Sequence, residues 1–434
     1  MVGKIISSSL RIYRRHLAQF YIFRLLREIA LAFYRSIYRL NCRLWHGDTV
    51  TDYIFISFSQ FQRRTNPKTL LVAPAAHFIL PPPQIIATSS ATQLTVAPIE
   101  IDTPEARIIE IVDATVIGGT SFVLALSCAI HPDMLTPKTD ESPAEIRGFI
   151  KIDSSRTGMT SYFGPVARTL PRAINLLGQS AANYAHWMTE IVPKLAILDA
   201  SPDYDDWPIL VDGWIHRNMH DSVALLSQKP RQIILVDRWQ PIAVKILAEV
   251  SATGYEPYIP HKLSNKQHPK YKNCFSRYAL DAVRAVAHNA TLPSADAAPE
   301  KIYLRRGTGS TNVRGLSNGA EVEQIMVDNG FVPVDSGRLS FADQVRLCRN
   351  ARVIAAPVGA SLANMIFAPA GATVIALAPF YENGNYYYYA VLSGVLGHKL
   401  LYVLGTPSNR RAHPLHNDYH IDPVALEGTI KASA

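Results

Sequence analysis

The chain has 434 residues, 48% of them apolar and 18% charged, with a mean hydropathy of +0.05. That is enough length for two or three domains with sizeable cores, and it excludes disordered, collagen-like and disulfide-scaffold classes. The net charge of +8 suggests a nucleic-acid binder only until it is located: residues 1–45 hold nine Lys/Arg against the single acid Glu28, which accounts for all of it.

No proline precedes residue 67, and Gly3 and Gly47 enclose a glycine-free stretch. HLAQFYIFRLLREIALAFYRSIYRLNCRLW therefore reads as one long helix or two shorter ones. Ile22, Leu25, Leu26, Ile29, Phe33, Ile37 and Leu40 share one stripe, with Arg24, Arg27, Arg35 and Arg39 opposite. Such a helix suits an anionic membrane interface, apolar side down. The alternative is docking on the protein's own body with the arginines in solvent. No apolar run approaches the ~18 residues of a membrane span, and Arg11, Arg14 and Arg15 interrupt any signal-peptide core. The expectation is a chain neither secreted nor membrane-spanning. Its four cysteines lie too far apart for a metal knot or disulfide framework, so reduced thiols are expected.

Residues 65–180 read as β-rich, through TLLVA, EARIIEIVDATVIGG and SFVLALSCAI. From about residue 183 helices and strands alternate: NYAHWMTEIVPKLAILDA helical, WPILVDG a strand, HRNMHDSVALLSQ helical, RQIILVD a strand. TLPSADAAPE (291–300) suits a linker. Beyond it KIYLRR, FVPV, ARVIAAP, ATVIAL and KLLYVL read as strands, with EVEQIMVDN, FADQVRLCRN and ASLANMIF as helices between them. This alternation predicts a parallel sheet covered on both faces, with ligands at the carboxyl ends of its strands. The expected fold is α/β: two Rossmann-like domains facing a cleft, after an N-terminal amphipathic helical segment. The expected boundaries are 1–45 for that segment, 46–290 and 301–400 for the two domains, and 401–434 for a tail.

Three elements carry chemistry. Arg305 and Arg306 end a predicted strand and lead through GTGSTNVRG to Arg314. Guanidinium forks and Gly/Ser backbone N–H groups hold phosphate. Val358-Gly359-Ala360-Ser361 leaves another strand of the same sheet and opens a helix, whose N-terminus favours an anion. Asn183, His186, Trp187 and Glu190 share a helix face, setting an imidazole beside a carboxylate as a general base with an orienting partner requires. Asp203-Tyr204-Asp205-Asp206 reads as an exposed turn. His216 with His220, and His413, His416 and His420, lack the further ligands of a metal site. Tyr386 to Tyr389 offer rings that could stack on sugar.

These elements, in this order, resemble glycosyltransferase family 61 across roughly residues 180–380. The matching segments are NYAHWMTEIVPKL, YLRRG with Arg314 and Asn318, and FADQVRLCRNARVIAAPVGASLANMIFAPAGATVIAL. The resemblance implies a GT-B-like pair of domains with a nucleotide-sugar donor in the C-terminal half and inverting transfer to an acceptor hydroxyl. It implies that Arg305, Arg306, Arg314 and Asn318, with Gly359, Ala360, Ser361 and Asn364, bind the donor. Glu321 and Gln344 support them from behind. His186 and Glu190 become the catalytic pair, with Asn183 and Trp187 on the acceptor. A UDP-sugar is the expected donor, with no metal or other cofactor. The expected setting is capsular or exopolysaccharide synthesis on a lipid-linked glycan, at the anionic inner face of the plasma membrane, with no nucleic-acid partner. Three positions depart from the family pattern: Val358 for a histidine, Gly319 for a glutamate and Ala376 for an acid. They favour an alternative, a non-catalytic polysaccharide-assembly or sugar-binding protein.

Overall fold

The computed structural model describes residues 21–45, 50–87, 98–135, 150–256, 273–290, 298–307, 314–381, 386–409 and 417–433. The arginines before residue 21, the Gly-rich stretch 308–313, most of the linker, His413 and His416 lie outside the described residues. The chain divides into two compact units: a central one of residues 32–79 and 100–290, and a C-terminal one of residues 291–434 with 1–31 and 80–99.

Helix α1 (Tyr21–Trp45) is the expected amphipathic element. Within the central unit it docks through its polar side. Tyr38 O–H donates to the Tyr162 carbonyl at 3.2 Å and Arg39 Nη2 to the Ile150 carbonyl at 3.1 Å. The Arg39 and Arg43 guanidiniums lie over the Tyr162 ring at 5.4 and 5.8 Å. The apolar stripe points the other way. Ile22, Leu25, Leu26, Ile29, Phe33, Ile37, Leu40 and Leu44 are each 44–69% exposed. The expected alternative is thus inverted, because arginine and tyrosine make the contacts with the body and the hydrophobic stripe faces outward. Among the described residues no helix is long and apolar enough to cross a membrane.

The central unit is built on a mixed sheet. Its main strands are β1 (Ala106–Ile117), β2 (Arg168–Asn175), β3 (Ile209–Asp212), β4 (Ile233–Val236) and β5 (Pro241–Val250). β4, β3, β2 and β5 lie side by side and parallel, and β1 then pairs antiparallel with β5. Beyond β1 the sheet continues through short strands at 123–125, 128–130, 50–56, 158–162 and 150–152. Ile109, Ile111, Val116, Leu177, Leu210, Val236, Val244 and Leu247 fill its core. This unit is mixed α/β: four parallel strands continue into an antiparallel portion, because the β-branched runs of 105–130 pair antiparallel, so the sheet is not parallel throughout.

Between β2 and β3 the chain forms α2 (Tyr184–His186), a π-helical turn (Trp187–Ile191) and α3 (Pro193–Asp199). After β3 comes α4 (Arg217–Leu226). A two-stranded ribbon, β6 (Gly254–Tyr255) with β7 (Cys274–Phe275), precedes α5 (Arg277–Asn289).

The C-terminal unit contains the predicted parallel sheet: β8 (Lys301–Leu304), β9 (Val332–Val334), β10 (Val353–Pro357), β11 (Thr373–Pro379) and β12 (Lys399–Pro407). Helices α6 (Gly319–Asp328), α7 (Phe341–Cys348) and α8 (Tyr387–Leu396) connect them, with a 3-10 helix at Ala360–Phe367 between β10 and β11. The spatial order is β9-β8-β10-β11-β12, all parallel. This is the doubly wound order whose reversal lies between β8 and β10, where such sheets bind ligands at the carboxyl ends. The described residues of 401–434, expected as a tail, instead complete this core: Leu401, Val403, Tyr419, Ile421, Leu426 and Ile430 are buried in it. The last four of these follow β12: Tyr419 on a short strand (Tyr419–His420) paired antiparallel with β12, Ile421 just after it, and Leu426 and Ile430 on helix α9 (Pro423–Ser433). The segment Gln84–Ala87 adds a further parallel strand beside β12.

Candidate active site

In the C-terminal unit, Arg306 follows β8 and Val358 follows β10, the two strands on either side of the reversal. Arg306 Nη1 and Arg314 Nη2 both donate to the Val358 carbonyl, at 3.2 and 2.8 Å. Two guanidiniums on one carbonyl form a concentrated positive site. Burial, and then the charge of Arg314, push Arg306 down to about 10; Tyr419, Tyr389 and Asp418 offset this only in part. Arg314 is placed by the residues after it. Gly315 N–H donates to Asp418 Oδ1 at 2.7 Å, and Tyr419 N–H donates to the Gly315 carbonyl at 3.0 Å. Asn318 completes this seam, with its amide on the Ile421 backbone at 2.7 and 3.1 Å and on Glu321. Asn318, expected on the donor, is therefore engaged in holding the Arg314 segment.

Arg305 goes elsewhere. Its guanidinium pairs with Glu323 on α6 at 3.3 Å and is half exposed. Successive side chains of an extended strand point to opposite faces, so only one of the two arginines reaches the site.

Gly359 is fully extended, and a Cβ there would stand 2.7 Å from Arg306 Nη1. Tyr389 O–H, from α8, donates to the Gly359 carbonyl at 2.6 Å. Gly359, Ala360 and Ser361 are partly buried and open the 3-10 helix, whose first N–H groups have no acceptor within it. Asn364 is wholly buried and donates to Gln344 Oε1 at 2.9 Å; Gln344 in turn holds the Ser336 carbonyl. Both residues therefore brace the turn from behind. Of the tyrosine run, Tyr386 and Tyr389 spend their hydroxyls on backbone carbonyls.

In the central unit, His186 Nδ1 and Glu190 Oε1 lie 2.6 Å apart, as the helix-face reading expected. The helix is not regular there. Pro193 cannot return an N–H to the Thr189 carbonyl, and Val192 N–H instead reaches Trp187 O at 2.8 Å, five residues back. Such single π turns recur at functional sites. The displaced carbonyls find other company. Thr253 Oγ1 donates to Glu190 O at 3.1 Å, and a Cβ on Gly254 would stand 2.2 Å from Thr189 O. The ribbon is thereby pressed against the turn.

Two residues expected on the acceptor are used by the fold. Trp187 is completely buried, its indole N–H on Ser222 Oγ at 2.8 Å. Asn183 caps α2 through Ala185 N–H at 3.1 Å. The helix face that carries His186 is thus narrower than a regular wheel draws it.

Electrostatics make the histidine unusual. Burial alone would push it down, yet Glu190, by charge and hydrogen bond, and then Glu256 hold it up at about 8. One turn beyond Glu190, buried Lys194 pairs with Asp133 at 2.7 Å and Glu249 at 3.6 Å, and Asn175 Nδ2 donates to Glu249 Oε2. Glu256, Lys194, Asp133 and Glu249 carry no local motif that singles them out in the sequence, although Lys194 lies in the same helical stretch as His186.

The remaining candidates are structural. Asp203, Asp205 and Asp206 pair with Lys68, Lys229 and Arg172, while Tyr204 is buried. His216 caps α4, and His220 bonds the Asp212 carbonyl. All four cysteines are free and buried. Among the described residues no three His, Cys, Asp or Glu side chains are grouped to hold a metal.

The Glycosyltransferase 61 family model matches residues 184–375, which run from the start of α2 to the middle of β11. It is also similar to protein O-linked-mannose beta-1,4-N-acetylglucosaminyltransferase 2 of the dog, Canis lupus familiaris, at 39% identity over 79 residues. That match covers 17% of this chain and only 14% of the dog protein.

Proposed function

We propose that the chain is a glycosyltransferase that takes a sugar from a nucleoside-diphosphate donor and passes it, with inversion, to a hydroxyl of a glycan. The observation that carries this reading is the Arg306–Arg314 pair at the reversal of the doubly wound sheet. Departure of the sugar leaves a diphosphate that gains negative charge. Guanidiniums already oriented stabilise that charge without reorganising. Gly359, Ala360 and Ser361 offer backbone N–H groups beside them. Inversion needs one base for the acceptor hydroxyl, and His186, oriented by Glu190, has that chemistry in its neutral form.

A UDP-sugar is the donor we expect, and the reading invokes no metal. The acceptor is read as a lipid-linked glycan of capsular or exopolysaccharide synthesis, and the two units as a GT-B-like pair. The outward apolar stripe of α1, on a segment that carries the chain's excess positive charge, supports a position on the anionic inner face of the plasma membrane.

Calorimetric titration with UDP and with GDP tests the donor site. One nucleotide should bind saturably to the wild type. Arg306→Ala and Arg314→Ala should each lose that binding, and Arg305→Ala should keep most of it. No binding of either nucleotide by the wild type would favour the non-catalytic alternative, with Val358→His the first variant to test.

A further inference from the structure

His186 and Glu190 do not stand alone. In the ribbon, Gly254 lies opposite Phe275 and Tyr255 opposite Cys274, so the next rung sets Glu256 against Asn273. The Asn273 amide donates to Glu256 Oε2 and holds that carboxylate. The ribbon is in turn pressed on the π turn through Gly254 and Thr253. Glu256 is thus delivered to the neighbourhood of the imidazole and acts electrostatically on both His186 and Glu190.

We propose that Glu256 is a positioning residue of the active site: with Glu190 it acts on the His186 imidazole, so that the working unit is one imidazole governed by two carboxylates from separate elements. Among the described residues, the other ionisable groups on the two elements are engaged elsewhere or neutral. On the helix side, Lys194 is committed to Asp133 and Glu249. On the ribbon side, burial pushes the Cys274 thiol up to about 12, helped by Glu190 and Asp102, so it stays neutral. Asp102 itself pairs with His77 at 2.8 Å.

Two negative charges favour the imidazolium. The imidazole accepts a proton from an acceptor only once it is neutral, so transfer should rise with pH as His186 deprotonates. That kinetic consequence rests on the proposed reading of His186 as base, whereas the electrostatic one does not.

The test is an imidazole nitrogen NMR titration of the full chain labelled in histidine, with His186→Asn assigning the signal. The wild-type midpoint should lie near 8. Glu256→Gln should lower it by about one pH unit, and Glu256→Asp, which keeps the charge, should largely preserve it. If Glu256→Gln does not fold, Asn273→Ala decides the same question. Removing the donor weakens the carboxylate anion, and the midpoint should again fall. A wild-type midpoint at the ordinary histidine value, or Glu256→Gln and Asn273→Ala variants that titrate like the wild type, would overturn the proposal. Nucleotide binding is untouched by these outcomes, so a failure here is distinguishable from a failure of the donor site.

Discussion

Glycine at position 359 is there for space. Its φ and ψ, both 174°, are extended backbone open to any residue, but the Arg306 guanidinium occupies the volume of a side chain. Gly359→Ala should move that flexible guanidinium off the Val358 carbonyl and leave the fold intact. Nucleotide affinity should fall roughly ten- to a hundredfold, the worth of a hydrogen bond to a charged group, with thermal melting unchanged. Calorimetry beside a melting curve would check this, and an unchanged affinity would separate Arg306 from the donor. At this scale much was legible: the His186–Glu190 pair and the Gly359 turn each lie within a few consecutive residues. The divergence of Arg305 from Arg306 could have been read from strand alternation. Glu256 could not, because it meets His186 only through the ribbon's register, 70 residues along the chain.

The π turn is an element made by one missing donor. Pro193 frees the Thr189 carbonyl, and Gly254 is what allows the ribbon to close on it. A methyl group there meets backbone oxygen, which cannot swing aside. Gly254→Ala should cost about 2–3 kcal/mol, an overpacking penalty, measurable by urea denaturation; a variant as stable as the wild type would show the ribbon free to retreat. Helix α1 permits the opposite test. Ile29 and Phe33 are exposed, so Ile29→Glu/Phe33→Glu should leave thermal stability alone. Loss of two large apolar side chains from a bilayer contact should weaken binding to anionic vesicles at least about a hundredfold. Equal vesicle binding by this variant and the wild type would remove the stripe from any membrane role. The pattern of the helix was plain in its sequence. Its docking side was not, because an amphipathic wheel does not say that Tyr162 awaits arginines.

For the whole molecule, the central unit concentrates groups that hold protons more tightly than the unfolded chain does. Burial raises Asp212 to about 6, and Glu249 and Glu256 each to about 7. His186, against its burial, is raised by Glu190 and Glu256 to about 8. Each raised value makes the folded state bind more protons than the unfolded state in the window between the two values, so stability falls as pH rises there. For the carboxyls that loss runs from about pH 4 to 7. For His186 the contribution is complete below its ordinary value of about 6.5 and is lost as pH rises through 8. The melting temperature should therefore decline from about pH 5 to pH 8.5, and Glu256→Gln should flatten the decline. A melting curve that rises over this range would contradict the assignment.

The sequence by itself determined the family resemblance, the parallel alternation after residue 300, the amphipathic helix and the short motifs, because each is a local pattern of periodicity or spacing. Tertiary structure alone decided which arginines converge, that Tyr419, Ile421, Leu426 and Ile430 are core, that Gln84–Ala87 extends the C-terminal sheet, and that Trp187 is buried. Those outcomes depend on pairings between distant segments and on which face of a strand or helix finds a partner. No local pattern of residue types encodes them.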